Sequence, residues 1–245
     1  MRVADGVEAL ELTTQVMGNQ MTIYPTLIWD QDTVILVDTG MPGQLDLIRK
    51  AMDQADVPFS KLDKVIITHQ DIDHIGGLPE VLDASDHKVE VLAHQVDKPY
   101  IEGEKTPIKM NPERASKMLE KLPEEQRNQM KAMYENPPSA GVDTTVADGE
   151  KLPHCGGITV IFTPGHTPGH ISLYLNESKT LVTGDALIAQ DGKLIGLNEQ
   201  ATPDMETAVK SLKKFVPYDI ETVICYHGGV CTGNVNEQIA DLAGK

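Results

Sequence analysis

The sequence predicts a layered α/β protein, because short β-branched runs alternate with segments of helical periodicity and because most of those runs end in Asp, Gly or His. Thr22 to Trp29 and Thr33 to Val37 are apolar runs around Asp30-Gln31-Asp32, which reads as a hairpin opening the chain. Asp38-Thr39-Gly40 and Pro42-Gly43 then break the strand. Leu45, Ile48 and Met52 recur at helical spacing, and Lys64 to Thr68 and Val89 to Ala93 return to the buried-strand pattern. From residue 98 to 145 charges and prolines dominate. Asn111-Pro112-Glu113 and Pro123-Glu124-Glu125 read as helix starts, so this stretch is expected to be a helical insertion packed on the α/β body. Ile158 to Thr163, Ile171 to Leu175 and Leu181 to Thr183 are strands again. Thr202-Pro203-Asp204 begins a helix running to about Lys214, Val223 to Cys225 is the last strand expected, and Asn236 to Ala243 the last helix. A single domain over residues 1–245 is the expectation.

Composition narrows the partners. With 40% hydrophobic and 24% charged residues the chain can bury an ordinary core, and a net charge of -16 repels phosphate backbones and anionic bilayers. Nucleic acid and membrane partners are therefore not expected. The start shows no basic-then-apolar leader and no stretch is long and apolar enough to span a bilayer, so a cytoplasmic location is the expectation. Cys155, Cys225 and Cys231 share no C-x-x-C spacing, so any metal is to be sought among His and Asp.

Those residues gather in four places. His69-Gln70-Asp71-Ile72-Asp73-His74 puts four metal-capable side chains just beyond a strand, where side chains point into clefts. Acidic helix caps would explain the aspartates but not the two imidazoles beside them. Thr163-Pro164-Gly165-His166-Thr167-Pro168-Gly169-His170 holds two histidines on turns stiffened by Pro and Gly, and Asp185 and His227 each follow a strand. There is also an internal echo: Thr33 to Gly40 and Lys179 to Ala186 both run an apolar strand into a turn carrying an Asp, which would bring Asp38 and Asp185 to a shared seam.

Taken in order, Asp38, the His69 to His74 cluster, His166, Asp185 and His227 resemble the metallo-β-lactamase fold superfamily and its lactonase-like/glyoxalase II-like small hydrolases. Among these, the short tail and the Pro-Gly-His-x-Pro-Gly-His segment resemble the lactonase-like group, whereas the glyoxalase II type carries a helical domain after its last metal histidine. The resemblance implies a four-layer αββα sandwich with a two-metal site. It assigns His69, Asp71 and His166 to one ion, Asp73, His74 and His227 to the other, and Asp185 to both. Asp38 supports the ligands from behind, His170 is structural or lies behind the ligands, and Asp73 also holds the nucleophile. The implied reaction is attack by a metal-bound hydroxide on a carboxylic ester or lactone-like small molecule. A thioesterase or phosphodiesterase of the same fold, and a non-catalytic metal-dependent binding or regulatory module, are the alternatives. A homodimer is left open.

The chain departs from the family at two points. The usual motif is His-x-His-x-Asp-His, whereas here Asp71 replaces an imidazole, so the ligand set is harder and more negative. Zinc is the first expectation for the two divalent ions, with manganese or iron made more competitive by Asp71. Ala186-Leu187-Ile188-Ala189 stands where the lactonase group carries a tyrosine. Lys105, Lys109, Met110, Lys117 and Met118 of the insertion read as a solvated helical face ahead of a surface for an acidic or acyl substrate.

Overall fold

The computed structural model describes residues 1–16, 19–110 and 123–244. Among these, one sheet of seven strands runs in the order Arg2–Ala4, Val7–Ala9, Thr26–Trp29, Val34–Val37, Lys64–Ile67, Glu90–His94, Thr144–Val146. A second, of six, runs Lys151–Leu152, Ile158–Phe162, Ile171–Leu175, Thr180–Val182, Thr222–Cys225, Gly229–Thr232.

The alternation of side chains along each strand explains why these sheets stack. Ile35 and Val37 point one way from the first sheet and meet Ile158, Val160, Leu173 and Ile224 of the second, while Leu36, Val65 and Ile67 point the other way onto Ile48 and Met52 of helix Leu45–Gln54 and Leu78 and Val81 of helix Leu78–Asp83. On the far side of the second sheet, Ile161, Leu181 and Val223 pack with Leu212 of helix Met205–Leu212 and Ile239 of helix Val235–Gly244. Both sheets are covered on both faces, which is why central strands such as Val34–Val37 and Ile171–Leu175 are buried along their whole length and why the molecule is a four-layer αββα sandwich.

Several sequence expectations need correction. The hairpin of Thr26–Trp29 with Val34–Val37 forms, but Thr22 and Ile23 belong to a separate strand, Asn19–Ile23, and Pro25 lies between the two. The hairpin does not open the chain, since Arg2–Ala4, Val7–Ala9 and Leu12–Val16 precede it. Val223 to Cys225 is not the last strand: Gly229–Thr232 pairs back onto it. The small hairpin Ile188–Gln190 with Lys193–Gly196 was not expected either. Within residues 98–145 helices Lys98–Ile101 and Glu124–Glu135 form, and Thr144 already belongs to a strand. The helix start at Asn111 falls outside the described residues. No described helix is long and apolar enough to cross a membrane.

Two strand pairings set the location of the polar cluster. Val34–Val37 lies parallel to Lys64–Ile67, and Thr180–Val182 lies parallel to Thr222–Cys225. The C-terminal ends of each pair therefore share one edge, and the residues just beyond those ends are Asp38, His69, Asp185 and His227.

Candidate metal centre

Asp38 anchors the first half. Its backbone takes φ 63° as the strand ends, and its buried carboxylate accepts the Thr68 N–H at 2.8 Å on Oδ1 and the Thr68 hydroxyl at 2.7 Å on Oδ2. Oδ2 also faces His74 Nδ1 at 2.8 Å, which turns Nε2 of that ring toward the cleft. Thr39 holds the His74 carbonyl from its N–H and its hydroxyl, and the Tyr226 ring stacks on His74 at 3.8 Å. Asp71 occupies the N-cap position of the short helix Ile72–Ile75 but caps nothing with its side chain. Its Oδ2 instead stands 3.2 Å from His69 Nε2 and 3.0 Å from His166 Nε2.

The second half supplies the remaining groups. His166 Nε2 is 3.1 Å from Asp185 Oδ2, with its Nδ1 3.2 Å from the Thr202 hydroxyl. His170 does not face the cluster with a free nitrogen: its Nε2 accepts the Asp185 N–H at 3.1 Å while Nδ1 meets the Thr163 hydroxyl at 2.8 Å, so it fixes where Asp185 sits. Gly184 between them has φ 52°, and a Cβ there would come within 2.8 Å of His170 Nε2. His227 Nε2 lies 3.2 Å from Asp73 Oδ2 and 3.5 Å from Asp185 Oδ2. Asp185 Oδ1 is 3.3 Å from His74 Nε2. The echo read in the sequence thus has a geometric counterpart: Asp38 and Asp185 face the two nitrogens of one imidazole.

The ligand-type atoms fall into two groups, His69, Asp71, His166 and Asp185 in one and Asp73, His74 and His227 in the other, with the atoms of each group within 4.8 Å of one another. His69 Nε2, His74 Nε2 and Asp185 Oδ1 are buried without a hydrogen-bond partner. A buried polar atom left so costs about 1–3 kcal/mol, and three of them distributed over these two groups fit divalent cations, whose charge also offsets three adjacent carboxylates.

Without an ion, protons take over that role. Burial alone would push the His74 imidazolium down, but the carboxylates of Asp38, Asp185 and Asp73 hold it well above the ordinary histidine value. His227 is likewise raised to about 10: burial opposes its charge, and Asp185 and Asp73 outweigh burial. Burial would raise Asp185, yet His74 and His227 keep it well below the usual carboxylate range. Burial and the neighbouring imidazoles push His69 and His170 down.

Three further residues lie outside those the sequence singles out, and two, Lys109 and Met110, depart from the solvated face expected of them. Asp97 is buried and accepts from Gln70 N, Gln70 Nε2, the Thr167 hydroxyl and Gly169 N, at 2.8 to 3.0 Å, so it ties the loop of His69 and Asp71 to the loop of His166 and His170. The Tyr226 hydroxyl donates to the Asp73 carbonyl. Tyr134, from helix Glu124–Glu135, lines the cavity above the cluster. Lys109 is no part of a solvated helical face: its ammonium contacts Asp71 Oδ2 and lies 2.5 Å from His166 Nε2. Met110 is buried, whereas Lys117 and Met118 lie outside the described residues. The cavity measures about 770 Å³. Asp71, Asp73, His166, Asp185 and His227 border it, with Met41, Pro42, Leu47, Met110, Met133 and Tyr134 among its other lining residues.

Known proteins share this fold. The family model of the metallo-beta-lactamase superfamily matches residues 20–227. A protein of Bacillus subtilis (strain 168) named "Probable metallo-hydrolase YflN" is 30% identical over 261 aligned residues, covering 100% of this chain and 95% of the relative. Among solved structures, the metallo-beta-lactamase family protein TTHA1429 from Thermus thermophilus superposes with a TM-score of 0.70 at 21% identity, over 99% of this chain and 79% of that one. A metallo-beta-lactamase from Pontibacter korlensis gives 0.69 at 16% identity, over 100% and 98%.

Proposed function

The chain belongs to the metallo-beta-lactamase superfamily, and we propose that it is a metal-dependent hydrolase of small carboxylic esters or lactones whose acyl part is apolar. The observation that carries this reading is the cluster's unpartnered imidazole and carboxylate atoms, together with a cavity that the same cluster borders through Asp71, Asp73, His166, Asp185 and His227 and that methionine, leucine, proline and tyrosine wall. His69, Asp71 and His166 would hold one divalent ion and Asp73, His74 and His227 the other, with Asp185, which neighbours His166, His74 and His227, available to both; zinc comes first, with manganese or iron in competition. Such ions supply Lewis acidity, lowering the pKa of water and polarising a carbonyl.

The chain's own groups do the rest. Asp73 borders the cavity and would take the proton of the attacking water, orienting its lone pair, and return that proton to the leaving oxygen as the acyl–oxygen bond breaks. Asp38 and Thr68 lock the His74 ring, and His170 locks Asp185 through its backbone N–H. The apolar walls exclude bulk water and hold the acyl group.

The test is hydrolysis of a panel of lactones, aryl esters, thioesters and phosphodiesters by metal-stripped, metal-restored and Asp73→Asn protein. Turnover of lactones or esters that needs metal and falls about 100-fold or more in Asp73→Asn is expected. Preference for thioesters or phosphodiesters would replace the substrate class. Metal-bound protein inert on all four, but destabilised by chelation, would show a binding or regulatory module instead.

A further inference from the structure

Lys109 reaches the first ligand group from a segment that is clamped in place. The Ile108 N–H donates to Gln70 Oε1 at 2.9 Å, Gln70 is itself held by Asp97 at 3.0 Å, and the Met110 N–H closes a turn onto the Pro107 carbonyl at 2.9 Å. The ammonium is thereby delivered between Asp71 Oδ2 and His166 Nε2, two of the atoms that converge in that group. For His166 to accept from it, Nε2 must be the unprotonated nitrogen and Nδ1 must carry the hydrogen toward Thr202. The second group differs: the ion pairs reaching Asp73 come from His74 and His227.

We propose that Lys109 is a built-in cation of the first ligand group, so that the chain holds one divalent ion firmly, at Asp73, His74 and His227 with Asp185, and takes a second only by displacing the lysine. The inference rests on the reading of the cluster as a metal centre. It also gives the unusual Asp71 a physical reason. A carboxylate both accepts from an ammonium and cancels its charge, whereas an imidazole at position 71 would offer one neutral acceptor and would itself compete for a proton. The aspartate and the lysine are then two halves of one device. A second divalent ion entering beside Lys109 meets a positive charge within a few Å in a largely buried site, where such repulsion is poorly screened. Displacing the lysine breaks its contacts to Asp71 and His166 but returns a long side chain to a cavity that has room for it.

The experiment titrates metal-stripped protein with Zn(II) or Mn(II) by calorimetry and counts ions per chain by elemental analysis after desalting, in wild type, Lys109→Gln, Lys109→Met and, as a control from the same segment, Lys105→Gln. Expected are about one retained ion in wild type and Lys105→Gln, about two in both Lys109 variants, and a second binding step at least about tenfold tighter in those variants. The proposal is overturned if wild type retains two ions with the affinities of the Lys109 variants, or if those variants still retain one. Retention of none by any form would overturn the metal-centre reading as well. Because the readout is ion count and affinity, a centre that binds metal as proposed but hydrolyses nothing leaves this inference standing and removes only the proposed activity.

Discussion

Replacing Asp97 by asparagine keeps the size of the side chain and removes what it does. The residue is 1% exposed, and its Oδ1 accepts Gln70 Nε2 at 3.0 Å and Gly169 N at 2.8 Å while Oδ2 accepts Gln70 N at 3.0 Å and the Thr167 hydroxyl at 2.8 Å. An amide presents one acceptor oxygen, so two of the four donors lose their partner and face an NH₂. With hydrogen bonds to charged groups worth about 1.5–3 kcal/mol each, the expected loss is about 3–6 kcal/mol, or a fall in melting temperature of at least roughly 10 °C for a chain of this size. Urea denaturation in the presence of chelator measures the first and calorimetry the second, with the exposed Asp46→Asn as control. Metal affinity falls too, because Asp97 joins the two loops that carry His69, Asp71 and His166. A loss below about 1 kcal/mol would refute the view that this carboxylate staples the halves together.

Three further outcomes are expected. In metal-free protein, His227 is raised to about 10 in the folded state against an ordinary value near 6.5, so its contribution to stability is complete below about pH 6.5 and is lost as pH rises toward 10. Melting temperature with chelator should therefore decline over that window, and His227→Gln should flatten the decline; a profile identical in both proteins would contradict it. Gly228 has φ 94°, and a Cβ there would lie 1.7 Å from the Ala189 carbonyl oxygen, so Gly228→Ala should destabilise by more than about 2 kcal/mol in urea unfolding and weaken metal retention by shifting His227. Asp71→His softens the first ligand group and should raise the zinc-to-manganese occupancy ratio under equal supply, measured by elemental analysis; an unchanged ratio would remove Asp71 as a determinant of metal choice.

The strands and helices that build the sandwich were legible because their signals are local. Leu45, Ile48 and Met52 mark a helix that forms at Leu45–Gln54, and Ile171 to Leu175 is a strand with the expected bounds. Two of the strands near the start that the sequence reading lacks, Arg2–Ala4 and Val7–Ala9, are three residues long, too short for any period to show; the third, Leu12–Val16, has five. The hairpin after Ile188 did carry a readable mark, since Asp191 and Gly192 both take positive φ as a two-residue turn requires. At the site, the residues expected as ligands come together because each follows a strand end, and strand ends can be read from one sequence. Asp97 could not be found that way: an acid before Lys98-Pro99 looks like a helix cap, yet its side chain makes no cap bond and is spent on donors distant in sequence. Lys109 depends on a clamp formed by Gln70, a contact that no spacing reveals.

Whether these histidines and aspartates form a metal centre is tested most directly by anomalous diffraction from crystals grown with zinc, and again with manganese, recorded on both sides of the metal edge. A strong peak is expected within bonding distance of Asp73, His74, His227 and Asp185, with a weaker or absent one among His69, Asp71 and His166. No anomalous density at this cluster in metal-supplied crystals would contradict the assignment of a metal centre.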